Sequence, residues 1–327
     1  MLTKAPLLVI FLHLIDRIPQ PEASGKRQRG RPNTYSERLI VKALIVMVIR
    51  RLYTAYSLLA FLEQETELTL ALRPLLSEGG RFPTRRTWER RLAALPAHLP
   101  GLIGCLGRQL TQLIQPWGTA GKAAAVDSTA LRAKGGVWHK KDREAGRVPH
   151  STIDTDAHWS KSGYHGWWYG WKLHLACSAA AIWIPLAARL TPANVADQDV
   201  APALIDQLAP DIRFVLGDTH YNEPEVRLAC EQQDRSLIAT HKGARPKIDP
   251  GAPVRQLFHR LRSKAIEPFN GLFKNVYDWG GQVPVKGLHR TQLIVLGAVL
   301  LYQLVLLYQF EHQLPLGRSI KPLLKAA

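Results

Sequence analysis

The chain reads Ala123-Ala124-Ala125-Val126-Asp127-Ser128-Thr129, an apolar run that ends in a carboxylate. A second run of the same kind reads Arg213-Phe214-Val215-Leu216-Gly217-Asp218. Short apolar runs that stop at polar or turn-forming residues are typical of buried β-strands. The two runs predict two strands, each with an aspartate at its end. Either aspartate alone also fits an ordinary turn residue. A catalytic role is therefore inferred only from the two aspartates together with a third carboxylate.

A third carboxylate, Glu267, lies in the helical stretch from Arg262 to Lys274. Carboxylates at close range raise one another's pKa unless a cation holds them ionised. Hard oxygen ligands select Mg²⁺ or Mn²⁺, and two such ions can cut and join phosphodiesters. The ordered set predicts a catalytic site in which Asp127, Asp218 and Glu267 ligate two divalent ions.

The composition favours a polyanionic partner. The chain has 327 residues, 43 Lys and Arg against 26 Asp and Glu, and a formal charge of +17. This excess is the electrostatic footprint of a nucleic-acid binder, although a basic protein at a ribosome or membrane surface would share it. The three cysteines are odd in number and have no CxxC spacing. They predict neither a disulfide framework nor a zinc site, and a reducing cytoplasm suits them.

Two apolar stretches could be mistaken for membrane elements. Residues 6–14 loosely resemble a signal peptide but lack a cleavage site. Residues 293–308 are shorter than a membrane span requires and contain Gln303. Both are predicted to be buried helices, and no membrane association is expected.

The first part of the chain, 1–115, is predicted to be a helical DNA-binding domain with a basic arm. Arg29 and Arg31 flank a glycine in that arm and fit either a minor groove or a solvated linker. Helices are expected over 36–52 and 55–64, with a third that begins at Thr84 or Thr87. The third carries Arg85, Arg86, Arg90 and Arg91. This outline favours a helix-turn-helix domain, with a small bundle bearing solvated arginines as the alternative.

The second part, 120–312, is predicted to be an α/β catalytic domain with a mixed sheet and flanking helices, followed by a tail at 313–327. Strands are expected at 122–127, 169–177, 182–190, 213–217 and 236–240. Helices are expected at about 198–209, 224–233, 255–277 and 290–310. Lys140 and Lys141 lie in a basic loop after the first strand, where they suit phosphate contacts, although a solvated loop is the alternative.

The chain resembles a bacterial insertion-sequence transposase of the DDE class, which has a ribonuclease-H-like catalytic domain. The resemblance covers about 120–310, and Gly30-Arg31-Pro32 is similar to the family's front end. The matching stretches are Val126-Asp127-Ser128-Thr129, Tyr169-Gly170-Trp171-Lys172-Leu173-His174, Leu190-Thr191-Pro192-Ala193-Asn194-Val195-Ala196-Asp197, Leu216-Gly217-Asp218-Thr219-His220-Tyr221, and Glu267 with Lys274. No single motif is specific, but their order is.

The helical spacing of Glu267 and Lys274 places both on one face, so a metal ligand and a phosphate contact could be neighbours; an ordinary surface charge pair is the alternative. Lys172 is a further expected DNA contact. The chain departs from the family pattern four residues before Glu267, where Ser263 replaces an arginine and Arg262 and Lys264 flank it.

The resemblance implies a protein of the bacterial cytoplasm and nucleoid that binds terminal inverted repeats, cleaves DNA at the ends of its element and joins the 3′-hydroxyls to target DNA. It also implies a dimer or larger complex on double-stranded DNA, because two ends must be paired. Two alternatives stay open. One is an inactivated or domesticated DNA-binding protein, and the other is a metal-dependent nuclease without strand transfer.

Overall fold

A computed structural model describes residues 6–21, 34–115, 122–163, 166–180, 182–239, 252–277 and 281–327. The chain forms two compact units. One comprises Met1–Leu106 with Gln292–Ala327, and the other comprises Gly107–Thr291. The predicted domains, 1–115, 120–312 and 313–327, stay a prediction.

The first unit is helical in its described part. Its helices are α1 (Leu7–Ile15), α2 (Glu37–Arg50), α3 (Ala55–Leu62), α4 (Glu67–Leu75), α5 (Arg85–Ala94), the first half of α6 (Leu99–Ile114), most of α11 (Leu288–Glu311) and α12 (Ile320–Ala326). A 3-10 turn, Leu95–Ala97, joins α5 to α6. The predicted helices at 36–52 and 55–64 and the predicted start at Thr84 are confirmed.

Hydroxyl caps begin four consecutive helices of this unit. Ser36 and Thr84 each accept a hydrogen bond from a backbone N–H in the first turn of α2 and α5. Thr54 and Thr66 begin α3 and α4 with reciprocal capping boxes. Such caps satisfy backbone donors that the helix itself cannot pair, so each start is fixed locally.

The two apolar stretches are buried helices, as predicted. Phe11 of α1 packs edge-on against Tyr308 of α11, with ring centroids 5.6 Å apart. Gly297 of α11 leaves room for Leu44 of α2, whose side chain lies 2.9 Å from where a Cβ would stand. Among the described residues, only α11 is by itself long and apolar enough to cross a membrane, and 89% of its most apolar window is buried. The α2–α3 pair meets the same criterion only if its 85° bend is ignored.

The described part of the second unit is built on a six-stranded sheet. Its strands are β1 (Ala123–Arg132), β2 (His158–Ser162), β3 (Gly166–Ser178), β4 (Pro185–Pro192), β5 (Phe214–Gly217) and β6 (Ser236–Ala239). Its helices, besides the second half of α6, are α7 (Lys140–Glu144), α8 (Asp197–Ile205), α9 (Pro224–Glu231) and α10 (Ala252–Tyr277). The strands and helices predicted between 122 and 277 are present, with their ends shifted by a few residues.

The sheet is mixed. β3 pairs antiparallel with β1 along one edge, and its other edge pairs antiparallel with β2 and then with β4. β1 is parallel to β5, and β5 is parallel to β6. Helix α10 packs on β1 and β5, and α8 packs on β3 and β4. The resulting order β4-β3-β1-β5-β6, with helices packed on the sheet, is a ribonuclease-H-like fold, as expected.

Candidate active site

The pairing of β1 with β5 brings Asp127 and Asp218 together. The parallel register aligns Ala125 with Leu216, so two residues further on, Asp127 is level with Asp218. β5 ends at Gly217, whereas β1 continues to Arg132 along β3. Asp127 was expected at the end of its strand, and this is wrong: it lies mid-strand, because β3 continues to pair with β1 beyond it. What ends there is the pairing with β5.

Asp218 is held by the turn that follows it. Its Oδ1 accepts a hydrogen bond of 2.8 Å from the backbone N–H of His220, and it begins a 3-10 turn at Thr219–Tyr221. The Tyr221 ring is fully buried, and a Cβ on Gly217 would lie only 2.6 Å from the Cβ of Tyr221. The glycine before Asp218 is therefore required by the packing of this tyrosine against the strand end.

The Asp127 carboxyl is largely shielded from water, with its side chain 20% exposed. The pKa of Asp127 is raised to about 7, chiefly by burial and in part by the charges of Asp218 and Asp197, against the lowering effects of Arg262 and of a hydrogen bond from the Ser128 backbone N–H. The nearby cation thus compensates the Asp127 charge only in part. Such a carboxyl would gain most from an added cation.

Glu267 reaches the site through Arg262. Both residues lie on α10, which continues through Pro268 without a break. Arg262 Nη2 lies 3.5 Å from Glu267 Oε1, and Arg262 Nη1 lies 3.8 Å from Asp127 Oδ2. One guanidinium therefore connects the helix-borne carboxylate to the strand-borne one. The sequence analysis assigned no role to Arg262 and named it only as a neighbour of Ser263. Its position next to Ser263, which replaces the arginine of the family pattern, was the signal that could have indicated a role.

A fourth carboxylate, Asp197, adjoins the site from the start of α8. Ser128 Oγ donates a hydrogen bond of 3.0 Å to Asp197 Oδ2, and Lys172 Nζ donates bonds of 3.0 Å each to Asp197 Oδ1 and the Val195 carbonyl. The side chains of Lys172 and Asp197 are 14% and 17% exposed. Lys172, expected to contact DNA, has this internal partner. Sequence reasoning included Asp197 in a motif but gave it no role.

His174 lies behind this network. Its Nδ1 is 3.6 Å from Asp197 Oδ1 and its Nε2 is 2.8 Å from Thr191 Oγ1. Burial lowers the pKa of His174 to about 4, which outweighs the raising effect of Asp197. The imidazole is therefore neutral at physiological pH and is a structural hydrogen-bonding group.

The donor chemistry suits a hard divalent cation, because the negative charges of Asp218 and Asp197 act on an Asp127 carboxyl that Arg262 compensates only in part. As they stand, the described His, Cys, Asp and Glu residues do not form a group of three or more close enough to hold a metal ion. Asp127 and Asp218 are level with each other, while Glu267 faces Arg262 and its side chain is 57% exposed. Glu267 would have to turn from Arg262 to complete a metal site.

Lys274, two helical turns after Glu267, borders a cavity of about 180 Å³ whose walls include Ala130, Arg132 and Trp168. Burial lowers the pKa of Lys274, and no described acid offsets the effect. A half-buried ammonium beside an open cavity suits an incoming anion.

The other predicted DNA contacts lie elsewhere. Arg85, Arg86 and Arg90 are exposed on α5, and Arg91 is half-buried. Arg85 also pairs with Glu89 at 2.8 Å. Lys140 and Lys141 are exposed, but their predicted loop is the single helical turn α7. Arg29 and Arg31 lie outside the described residues.

The strand order and the helices packed on the sheet define a ribonuclease-H-like domain. Residues 119–304, more than half of the chain, match the family described as "Transposase DDE domain". The chain belongs to this family. No curated protein matches the chain.

The solved structures to which the chain is similar include two transposase complexes. One is the piggyBac transposase synaptic complex with hairpin DNA, at 11% identity and a TM-score of 0.39, with 99% of this chain and 79% of that chain covered. Another is the Mos1 transposase paired-end complex with left transposon end, at 12% identity and a TM-score of 0.24, with 86% and 80% covered.

Proposed function

We propose that this protein is a DNA transposase that cleaves the ends of its element and joins the freed 3′-hydroxyls to target DNA, with Asp127, Asp218 and Glu267 as the catalytic carboxylates. The observation that carries the proposal is the β1–β5 register, which makes Asp127 level with Asp218 where β5 ends. Glu267 is connected to the same place through Arg262. All three lie in the segment that matches the transposase family.

The reaction consists of two displacements at phosphorus. In the first, a water oxygen attacks the phosphodiester, the bond to the 3′-oxygen breaks, and that oxygen takes a proton to become a 3′-hydroxyl. In the second, this hydroxyl loses its proton and attacks a target phosphodiester, whose own 3′-oxygen leaves. Two Mg²⁺ or Mn²⁺ ions, when bound, would activate the attacking oxygen and stabilise the leaving one. Asp127, Asp218 and Glu267 would hold these ions.

Other residues would position the DNA. The arginines of α5 and the arm that carries Arg29 and Arg31 would bind the terminal inverted repeats. Lys140, Lys141 and Lys274 would contact phosphates near the catalytic carboxylates, because exposed or half-buried ammonium groups neutralise backbone charge. Lys172 has Asp197 as an internal partner, and we assign it to the support of the site. A dimer would hold two ends at once.

The test is cleavage of labelled DNA that carries the element's own flanking ends, with Mg²⁺ or Mn²⁺. Wild type is compared with Asp127→Asn and Glu267→Gln, and with two control variants that make the same changes at exposed carboxylates, Asp211→Asn and Glu225→Gln. We expect wild type and controls to cut and both site variants to bind the ends without cutting.

The outcomes separate the alternatives. If the site variants cut as well as wild type, the assignment of the carboxylates is wrong. Binding without cleavage by wild type would identify an inactive DNA-binding copy. Cleavage without any joined product, when target DNA is supplied, would identify a nuclease that does not transfer strands.

A further inference from the structure

We propose that Arg262 is an internal counter-ion of the carboxylate set and that a divalent ion binds by displacing it. The proposal rests on the proposed function in one respect, since it takes Asp127 and Glu267 as metal ligands. It adds a property of the protein before DNA arrives: metal binding is an exchange of one cation for another.

The position of the guanidinium is the first argument. Its two terminal nitrogens face two different carboxylates, with Nη1 3.8 Å from Asp127 Oδ2 and Nη2 3.5 Å from Glu267 Oε1. Arg262 is only 7% exposed. A metal ion that both carboxylates ligate would lie at about 2 Å from an oxygen of each, in the gap that this guanidinium spans. The two cations cannot share that gap.

The weakness of these contacts is the second argument. Charge-assisted N–H···O bonds are usually about 2.7–2.9 Å long, and both contacts of Arg262 are longer. Its Nε is buried without a hydrogen-bond partner among the described residues. The guanidinium is therefore shielded from water, but its hydrogen bonds to the protein only partly replace those to water. Its displacement from the gap consequently costs little free energy.

The other cation at the site provides a contrast. Lys172 Nζ makes two hydrogen bonds of 3.0 Å, to Asp197 and to the Val195 carbonyl. Lys172 thus has two close partners, one in the β4–α8 connection and one at the start of α8, and it holds a carboxylate outside the proposed metal set. Of the two cations, Arg262 is the one whose place an incoming ion would take.

Removal of Arg262 should change the affinity for metal in a definite direction. If Arg262 competes with metal, its removal tightens metal binding, because the carboxylates no longer have to exchange one cation for another. If Arg262 instead orders the carboxylates for metal, its removal weakens binding. A purely structural role would leave affinity unchanged in a folded variant.

The experiment is calorimetric titration of the full chain with MnCl₂, without DNA, for wild type, Arg262→Gln, Arg260→Gln and Asp127→Asn. Arg260 lies on the same helix, is exposed, and loses the same charge, so it is the matched control. We expect Arg262→Gln to bind Mn²⁺ roughly threefold to tenfold more tightly than wild type, as for the loss of a partly exposed ion pair, and Arg260→Gln to change affinity by less than about twofold.

Unchanged or weaker Mn²⁺ binding by Arg262→Gln would overturn the exchange. If Arg262→Gln does not fold, Arg262→Lys replaces it. Because one ammonium cannot span both carboxylates, this variant should bind Mn²⁺ more tightly than wild type. An equal or lower Mn²⁺ affinity would contradict the proposed exchange. Asp127→Asn tests the metal site separately from the role of Arg262. Binding by wild type that Asp127→Asn loses supports the metal site whatever Arg262 does, whereas binding equal in all four proteins overturns the metal site as well.

Discussion

The Lys172 ammonium and the Asp197 carboxylate form an ion pair of 3.0 Å that is largely shielded from water, with side chains 14% and 17% exposed. Lys172 comes from β3 and Asp197 from the start of α8. Ser128, the neighbour of the proposed catalytic residue Asp127, donates a hydrogen bond to the same carboxylate. The pair thus ties β1, β3 and α8 together directly beside the proposed catalytic site.

Substitution of Lys172 by Met should therefore act through stability. It leaves a shielded Asp197 without its cation, and the loss of one partner of such a pair costs about 3 kcal/mol. Urea unfolding should show this loss, and the double variant Lys172→Met/Asp197→Leu should recover a large part of it. If Lys172→Met keeps its stability and loses DNA affinity instead, Lys172 is the DNA contact that the sequence predicted.

A methyl group at Gly217 should destabilise the strand end before Asp218. It would lie 2.6 Å from the Cβ of Tyr221, which is fully buried. Forced overpacking of this kind costs about 1–3 kcal/mol, so Gly217→Ala should lower the free energy of unfolding by that amount. Because the turn that holds Asp218 would shift, DNA cleavage should fall as well.

The control for this prediction is Gly271→Ala on α10, where a Cβ would meet nothing within 4 Å. Alanine is favoured over glycine in a helix by about 1 kcal/mol, so this variant should be equally or more stable than wild type. Equal stability of Gly217→Ala and wild type would contradict the proposed role of the glycine.

The strands that carry Asp127 and Asp218 could be predicted from apolar runs because most residues of those runs are buried, whereas the continuation of β1 beyond Asp127 could not. The helix α4 was missed because Thr69 closes its capping box in place of the usual Glu or Gln. β2 was missed because its residues are half-buried and show no clear alternation; it forms by pairing with the first residues of β3.

The partners of the site could not be predicted for a different reason. Arg262 meets Asp127 only because α10 packs on β1, and Lys172 meets Asp197 only because α8 packs on β3. These contacts depend on the docking of distant segments, on which a local pattern carries no information. The sequence therefore indicated the three carboxylates but not the cations that neutralise their surroundings.

The stability of the metal-free protein should depend on pH through Asp127. Burial raises the pKa of Asp127 to about 7 in the folded chain, from the ordinary value of 3.8. The folded state then keeps a proton that the unfolded state releases. The contribution of this carboxyl to stability is therefore complete below pH ~4 and is lost as the pH rises to about 7, by at most about 1.4 kcal/mol per pH unit.

The measurement compares the urea unfolding of chelator-treated wild type with that of Asp127→Asn at several pH values between about 5 and 8. Stability relative to the variant should fall up to about pH 7 and then level off. The buried His174, whose pKa is lowered to about 4, is present in both proteins, so its own loss of stability at acid pH cancels in the difference. Parallel curves would show that Asp127 titrates at its ordinary pKa.

The arginines of α5 should determine how DNA affinity depends on salt. Arg86 and Arg90 are exposed, lie one turn apart, and have no partner among the described residues, so both are available to phosphates. Each phosphate contact that is lost should reduce the slope of log affinity against log salt by about 0.9. Arg86→Ala/Arg90→Ala should therefore bind the element's ends more weakly at low salt and with a slope reduced by about 1.8.

The matched control is Arg318→Ala/Lys325→Ala, which removes two exposed positive charges from the same unit. If the +17 charge of the chain attracts DNA only as a whole, the two double variants will weaken binding equally. A larger loss of slope for the α5 variant means that α5 contacts the phosphates directly. Equal slopes in all three proteins would exclude α5 from the DNA interface, because counterions are released only where a cation replaces them on the phosphate backbone.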